Sequence, residues 1–89
     1  MTGQYELAWA PEAMDQLALL AKRFPEAPSL IVAAVYELID QPRPSGSTEL
    51  SGSGTYRRLL LGYYRVMYSV VDDPARITII LVGRADAPR

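Results

Sequence analysis

From Tyr64 to Val71 apolar and mixed positions alternate. Tyr64, Val66, Tyr68 and Val70 fall on one side and Arg65, Met67, Ser69 and Val71 on the other, and the run stops at Asp72-Asp73-Pro74. Side chains two apart share one face of an extended chain, so the pattern predicts a strand with one packing face. Tyr5 to Trp9 alternates in the same way, with Tyr5, Leu7 and Trp9 inward. Thr55 to Leu61 and Arg76 to Val82 read as two more strands, joined to the central one by Gly62 and by the turn Asp72-Asp73-Pro74-Ala75. Ile77 to Val82 has almost no polar residue, which predicts a strand covered on both faces or nearly so.

Two helices are predicted between the first strand and the rest. The first opens at Pro11, has Glu12 and Asp15 near its start and Lys22 and Arg23 at its end, and so complements the helix dipole. Met14, Leu17, Ala18, Ala21 and Phe24 form its inward stripe. The second runs from about Pro28 to Gln41 with Ile31, Ala34, Val35 and Leu38 inward, and Pro42 prevents its continuation. A short connector through Pro25 makes the pair a helical hairpin. Pro42 to Gly54 is rich in Pro, Ser and Gly, with Leu50 as its one anchor, and reads as a loop. The order βααβββ predicts an α+β protein: a mostly antiparallel four-stranded sheet with the hairpin on one face, as a single domain over residues 1–89.

Composition narrows the chemistry. With no cysteine and no histidine among 89 residues, disulfides, thiolate zinc sites and the usual acid-base side chain are all missing, and no metal or other cofactor is expected. The N-terminal residues show no basic segment followed by an apolar run. The longest apolar run, Leu30 to Tyr36, is far short of the ~20 residues that span a bilayer, so a soluble, unprocessed cytoplasmic protein without membrane contact is expected. The net charge of -1 conceals an asymmetry. Residues 1–40 carry two cations against six carboxylates, and residues 41–89 carry seven arginines against four carboxylates. One positive face on an acidic body follows.

Strand parity says which arginines share that face. If Gly62-Tyr63 is a two-residue turn, Leu61 pairs with Tyr64, and Tyr56, Arg58 and Leu60 join Arg65 on the side away from the helices. If Val71 pairs with Arg76, Arg84 joins them too. A one-residue change of register exchanges Arg58 for Arg57 or removes Arg84, whereas Arg65 belongs to every version. On composition alone a lone arginine on an open sheet face is a solvated charge. The other reading of such an arginine is a phosphate-holding device, because the planar guanidinium matches phosphate oxygens two at a time.

The ordered set Asp40-Gln41-Pro42-Arg43-Pro44-Ser45-Gly46-Ser47, Tyr56-Arg57, Tyr64-Arg65-Val66-Met67-Tyr68 before an acidic turn, and Val82-Gly83-Arg84 resembles the RelE/ParE toxin superfamily of type II toxin-antitoxin systems. The likeness extends over nearly the whole chain. It implies a RelE-like fold and a toxin restrained by a cognate antitoxin, RelB-like or another small DNA-binding protein. RelE-like members cut messenger RNA on the ribosome, whereas ParE-like members inhibit DNA gyrase by binding it. The resemblance makes Arg65 the contact to the reacting phosphate, with Arg58 or Arg57 and Arg84 assisting. Tyr56, Tyr63 and Arg43 are further candidates for RNA contact. An apolar groove beside the helices is the implied receptor for a flexible antitoxin segment.

Two departures bear on the activity. Nuclease members often end in a Tyr or His that assists proton transfer, where this chain reads Asp86-Ala87-Pro88-Arg89. The loop that is frequently basic in the family reads Ser47-Thr48-Glu49-Leu50-Ser51. For a general base the chain offers Glu49, Asp86, Tyr56 or Tyr63. The leading expectation is a ribosome-dependent mRNA endonuclease working by 2′-hydroxyl attack without a metal. The alternatives are a gyrase inhibitor of the ParE type and an inactive homologue that binds only its antitoxin.

Overall fold

A computed structural model describes residues 5–52 and 54–85. In chain order these form β1 (Glu6–Trp9), α1 (Pro11–Arg23), α2 (Ala27–Leu38), β2 (Ser47–Glu49), β3 (Tyr56–Leu61), β4 (Tyr64–Asp72) and β5 (Ala75–Arg84). The strands make one sheet in the order β1-β5-β4-β3-β2, with β1 parallel to β5 and the other pairs antiparallel. The α+β class and the helical hairpin match the expectation, but the sheet is mixed and has five strands. The added strand, β2, lies within the predicted loop. Ser-Thr-Glu offers no apolar alternation, and β2 is drawn into the sheet by pairing with β3 and by Arg57, whose Nε donates to Ser47 Oγ at 3.0 Å.

The core lies between the helices and one face of the sheet. Tyr64, Val66, Tyr68 and Val70 of β4 are buried there with Ile77, Ile79 and Val82 of β5 and with Ile31, Val35 and Leu38 of α2. Alternation on β4 therefore chose the packing face correctly. The phase of α1 differs from the prediction: Ala13 is buried and Leu17, Leu20 and Phe24 pack against the core, while Met14 is 58% exposed and Ala18 is also exposed. Residues 13 to 21 are apolar over so wide an arc that helical periodicity leaves the rotation open. Ala13, with its single methyl, is the fully buried residue of the helix.

β5 also differs from the expectation of two covered faces. It lies inside the sheet, between β1 and β4, and its second face has no helix over it among the described residues. Thr78, Ile80 and Leu81 are half-buried there by neighbouring strands. Between Met67 and Tyr68 the register shifts: Met67 faces Leu81 and Tyr68 faces Ile79, leaving Ile80 as an extra residue on β5. This bulge lets Ile77, Ile79 and Val82 all reach the core, because an inserted residue reverses the side-chain alternation beyond it.

Candidate anion site on the open face of the sheet

Both turns form as parity required. Leu61 pairs with Tyr64 across Gly62-Tyr63, and Val71 pairs with Arg76. Gly62 has φ +62, a left-handed conformation that costs glycine nothing. Leu60 then faces Arg65 and Arg58 faces Met67, so Arg58 and Arg65 are diagonal neighbours on the face away from the helices. Such neighbours stand about 7 to 8 Å apart. They line one depression of about 180 Å³ together with Gln16, Met67, Leu81, Val82 and Gly83. Arg65 is exposed and lies against Gly83, where an added Cβ would stand 3.7 Å from its Nε. Arg58 is half-buried, and its Nε is buried without a hydrogen-bond partner among the described residues. Two guanidinium groups in one hollow, with no carboxylate lining it among the described residues, are chemically suited to an oxyanion.

The other candidates are placed elsewhere. Arg84 does not join Arg65: beyond the bulge it pairs with Tyr64, on the helix side. Its guanidinium lies 4.2 Å from the Phe24 ring centre and 4.7 Å from that of Tyr63, a cation-π arrangement. The expectation of three arginines on one face is corrected to two, and the extra residue at Ile80 is the cause. Arg57 faces the other way from Arg58 and is bound to Ser47. Arg43 pairs with Asp72 at 3.0 Å. Asp72 lies seven residues along β4 from Arg65, roughly 23 Å away. Tyr63 is on the turn beneath Arg84, and Tyr56 pairs with Ser69, four residues or about 13 Å from Arg65.

Of the proposed bases, Glu49 accepts the backbone N–H of Gly54 at 2.7 Å, a turn-closing role. Asp86 lies outside the described residues, as do Pro88 and Arg89. Among the described residues no carboxylate lines the depression, and no group of three or more His, Cys, Asp or Glu side chains is placed to hold a metal. No helix there is long and apolar enough to cross a membrane.

Gln16 is the side chain that sequence reading missed. It interrupts the apolar face of α1, and a polar residue at such a position is the signal that marks it. A second hollow, of about 470 Å³, lies on the helix side between Arg23, Phe24 and Arg84. An apolar groove of about 420 Å³ runs between β1 and the hairpin, lined by Leu7, Trp9, Met14, Ala18, Val32 and Tyr36 among others.

No protein-family model matches the sequence, and no curated protein does. Solved structures do match. The archaeal RelE-RelB complex from Pyrococcus horikoshii contains a chain 24% identical, with 93% of this chain and 97% of that one covered and a TM-score of 0.78. The isolated RelE toxin of E. coli is 22% identical over 96% of this chain and 88% of its own, at 0.76. A YoeB/ParE toxin from Agrobacterium tumefaciens is 18% identical over 89% and 96%, at 0.73. The chain has the fold of the RelE/ParE toxin superfamily.

Proposed function

We propose that this chain is the toxin of a type II toxin-antitoxin pair and that it cuts messenger RNA on the ribosome, with Arg65 as the principal phosphate contact. The observation that carries the reading is the depression shared by Arg58 and Arg65 on the open face of a RelE-like sheet. In the reaction the ribose 2′-hydroxyl gives its proton to solvent water and attacks the adjacent phosphorus; as the new O–P bond forms, the bond to the 5′-oxygen breaks and that oxygen takes a proton from water, leaving a 2′,3′-cyclic phosphate and a free 5′-hydroxyl. Two guanidinium groups stabilise the charge gathered on the phosphoryl oxygens, and a preorganised donor of this kind lowers the barrier by about 3 kcal/mol. Positioning of the 2′-oxygen in line supplies the rest.

The partner carried over from the RelE-RelB complexes is an antitoxin, RelB-like or another small DNA-binding protein, in the cytoplasm. The groove between β1 and the hairpin offers its flexible segment an apolar seat. A second reading, inhibition of DNA gyrase by binding, is favoured by two observations: no carboxylate lines the depression among the described residues, and Arg84 is turned to the helix side.

Primer extension on cellular transcripts shortly after induction separates the two. New 5′ ends inside translated codons, lost in Arg65→Ala, are the expected outcome. Growth arrest with intact transcripts and inhibited supercoiling would remove the nuclease reading and leave the gyrase one.

A further inference from the structure

We infer that Gln16 is a third donor of the Arg58–Arg65 anion site, its side-chain NH₂ directed at an oxygen of the bound phosphate group. The reason begins at the sheet edge. β1 pairs with β5 only as far as Ile79, and the last link is the N–H of Ala10 donating to Ile79 O at 2.8 Å. β5 runs on to Arg84, so beyond Ile79 its outer edge has no strand beside it among the described residues. Gln16 of α1 fills the gap: the N–H of Val82 donates to Gln16 Oε1 at 2.9 Å.

That bond orients the amide. A backbone N–H can only be met by the side-chain oxygen, which turns the Nε2 hydrogens the other way. Among the described residues nothing accepts them. Gln16 lines the hollow of Arg58 and Arg65, and on the other side it also lines that of Arg23 and Arg84. It therefore stands with Gly83 in the partition between the two, and it brings a neutral donor to a site that otherwise has only cations. The amide would also tie α1 to the strand segment against which Arg65 rests.

This inference rests on the open face being a phosphate site, and the test separates the two. The probe is a dinucleotide with 2′-deoxyribose, which lacks the attacking hydroxyl, compared with inorganic phosphate. NMR of wild-type protein follows the Gln16 NH₂ and Arg65 Nε–H signals, and titration gives affinities for wild type, Gln16→Glu and Arg65→Ala. Glutamate still accepts the Val82 N–H, so folding is retained while the donor is replaced by a negative charge. The expected result is that both signals move with one dissociation constant, which assigns the donor, and that Gln16→Glu binds at least about tenfold more weakly through the lost hydrogen bond and the added negative charge together. Stronger binding of the dinucleotide than of inorganic phosphate assigns the site to a phosphodiester; equal binding leaves Gln16 as a donor to phosphate alone. If Arg65 responds while Gln16 is silent, the role of Gln16 is refuted whatever the affinity of Gln16→Glu, and the anion site stands. If neither responds, both readings fall.

Discussion

Tyr64 joins two kinds of interaction in one side chain. Its ring is buried, meets Phe24 edge-on at 6.2 Å and closes the end of the core, while its hydroxyl donates to Glu26 Oε2 at 2.6 Å. That donation holds the Glu26 carboxyl below its ordinary range, with a smaller effect from the nearby Arg84 charge, and it raises the Tyr64 phenol. A carboxylate whose folded value is lowered stabilises the fold fully above its unfolded value near ~4.3, and that contribution is lost as pH falls through the folded value. Tyr64→Phe should therefore lower the melting temperature most at neutral pH, and the gap to wild type should narrow on acidification. Melting curves from pH 7 down to the acid limb check this, and a constant gap would detach Glu26 from Tyr64. Asp72 is lowered in the same sense, first by the Tyr5 hydroxyl and then by Arg43, so it persists as a background slope in both proteins. Alternation in the sequence shows that Tyr64 packs inward. It does not show Glu26 as its partner, because 38 residues separate them and only folding brings them together.

At the scale of the element, β5 decides the site. Without its bulge, strict alternation would place Val82 and Arg84 on the face of Arg65, as strand parity alone predicts. With Ile80 inserted, Val82 is 4% exposed in the core and Arg84 stacks on Phe24 and Tyr63. Deleting Ile80 should remove the bulge yet keep these faces, because Leu81 then follows Ile79 in regular alternation and Val82 still points inward; the expected cost is small, about 1 kcal/mol or less. Urea denaturation measures it, and a large loss of stability would mean that Val82 leaves the core when the bulge is removed. A bulge leaves no mark in an apolar run such as Ile77 to Val82, where every residue suits either face. The strand β2 was illegible for a related reason: it is held by its partner strand and not by its own pattern.

For the whole molecule, the two faces of the sheet divide the work. One carries the core and hairpin, the other a shallow surface with two arginines in one hollow, while Arg76 is paired with Glu6 at 2.8 Å and Arg43 with Asp72. A polyanion meeting two free cations displaces few counterions. Binding to single-stranded RNA should thus have a shallow salt dependence, a slope near -1.4 in log affinity against log salt and about a sevenfold loss between 50 and 200 mM. Fluorescence anisotropy across that range checks it. A slope several times steeper would mean that Arg23, Arg84 and other basic residues also touch the strand, and the contact would then wrap around the sheet edge.

By itself the sequence determined the α+β order, the hairpin, the inward face of β4 and the two tight turns, because these depend on local alternation, on glycine and proline, and on helix ends. It also singled out Arg65, whose face is the same in every register. Tertiary structure alone decided the phase of α1, the fifth strand, the bulge and the choice of Arg58 over Arg57 and Arg84 as its neighbour. Those depend on which surfaces approach most closely and on where an unpaired N–H finds an acceptor, and neither is written in the pattern of any one segment.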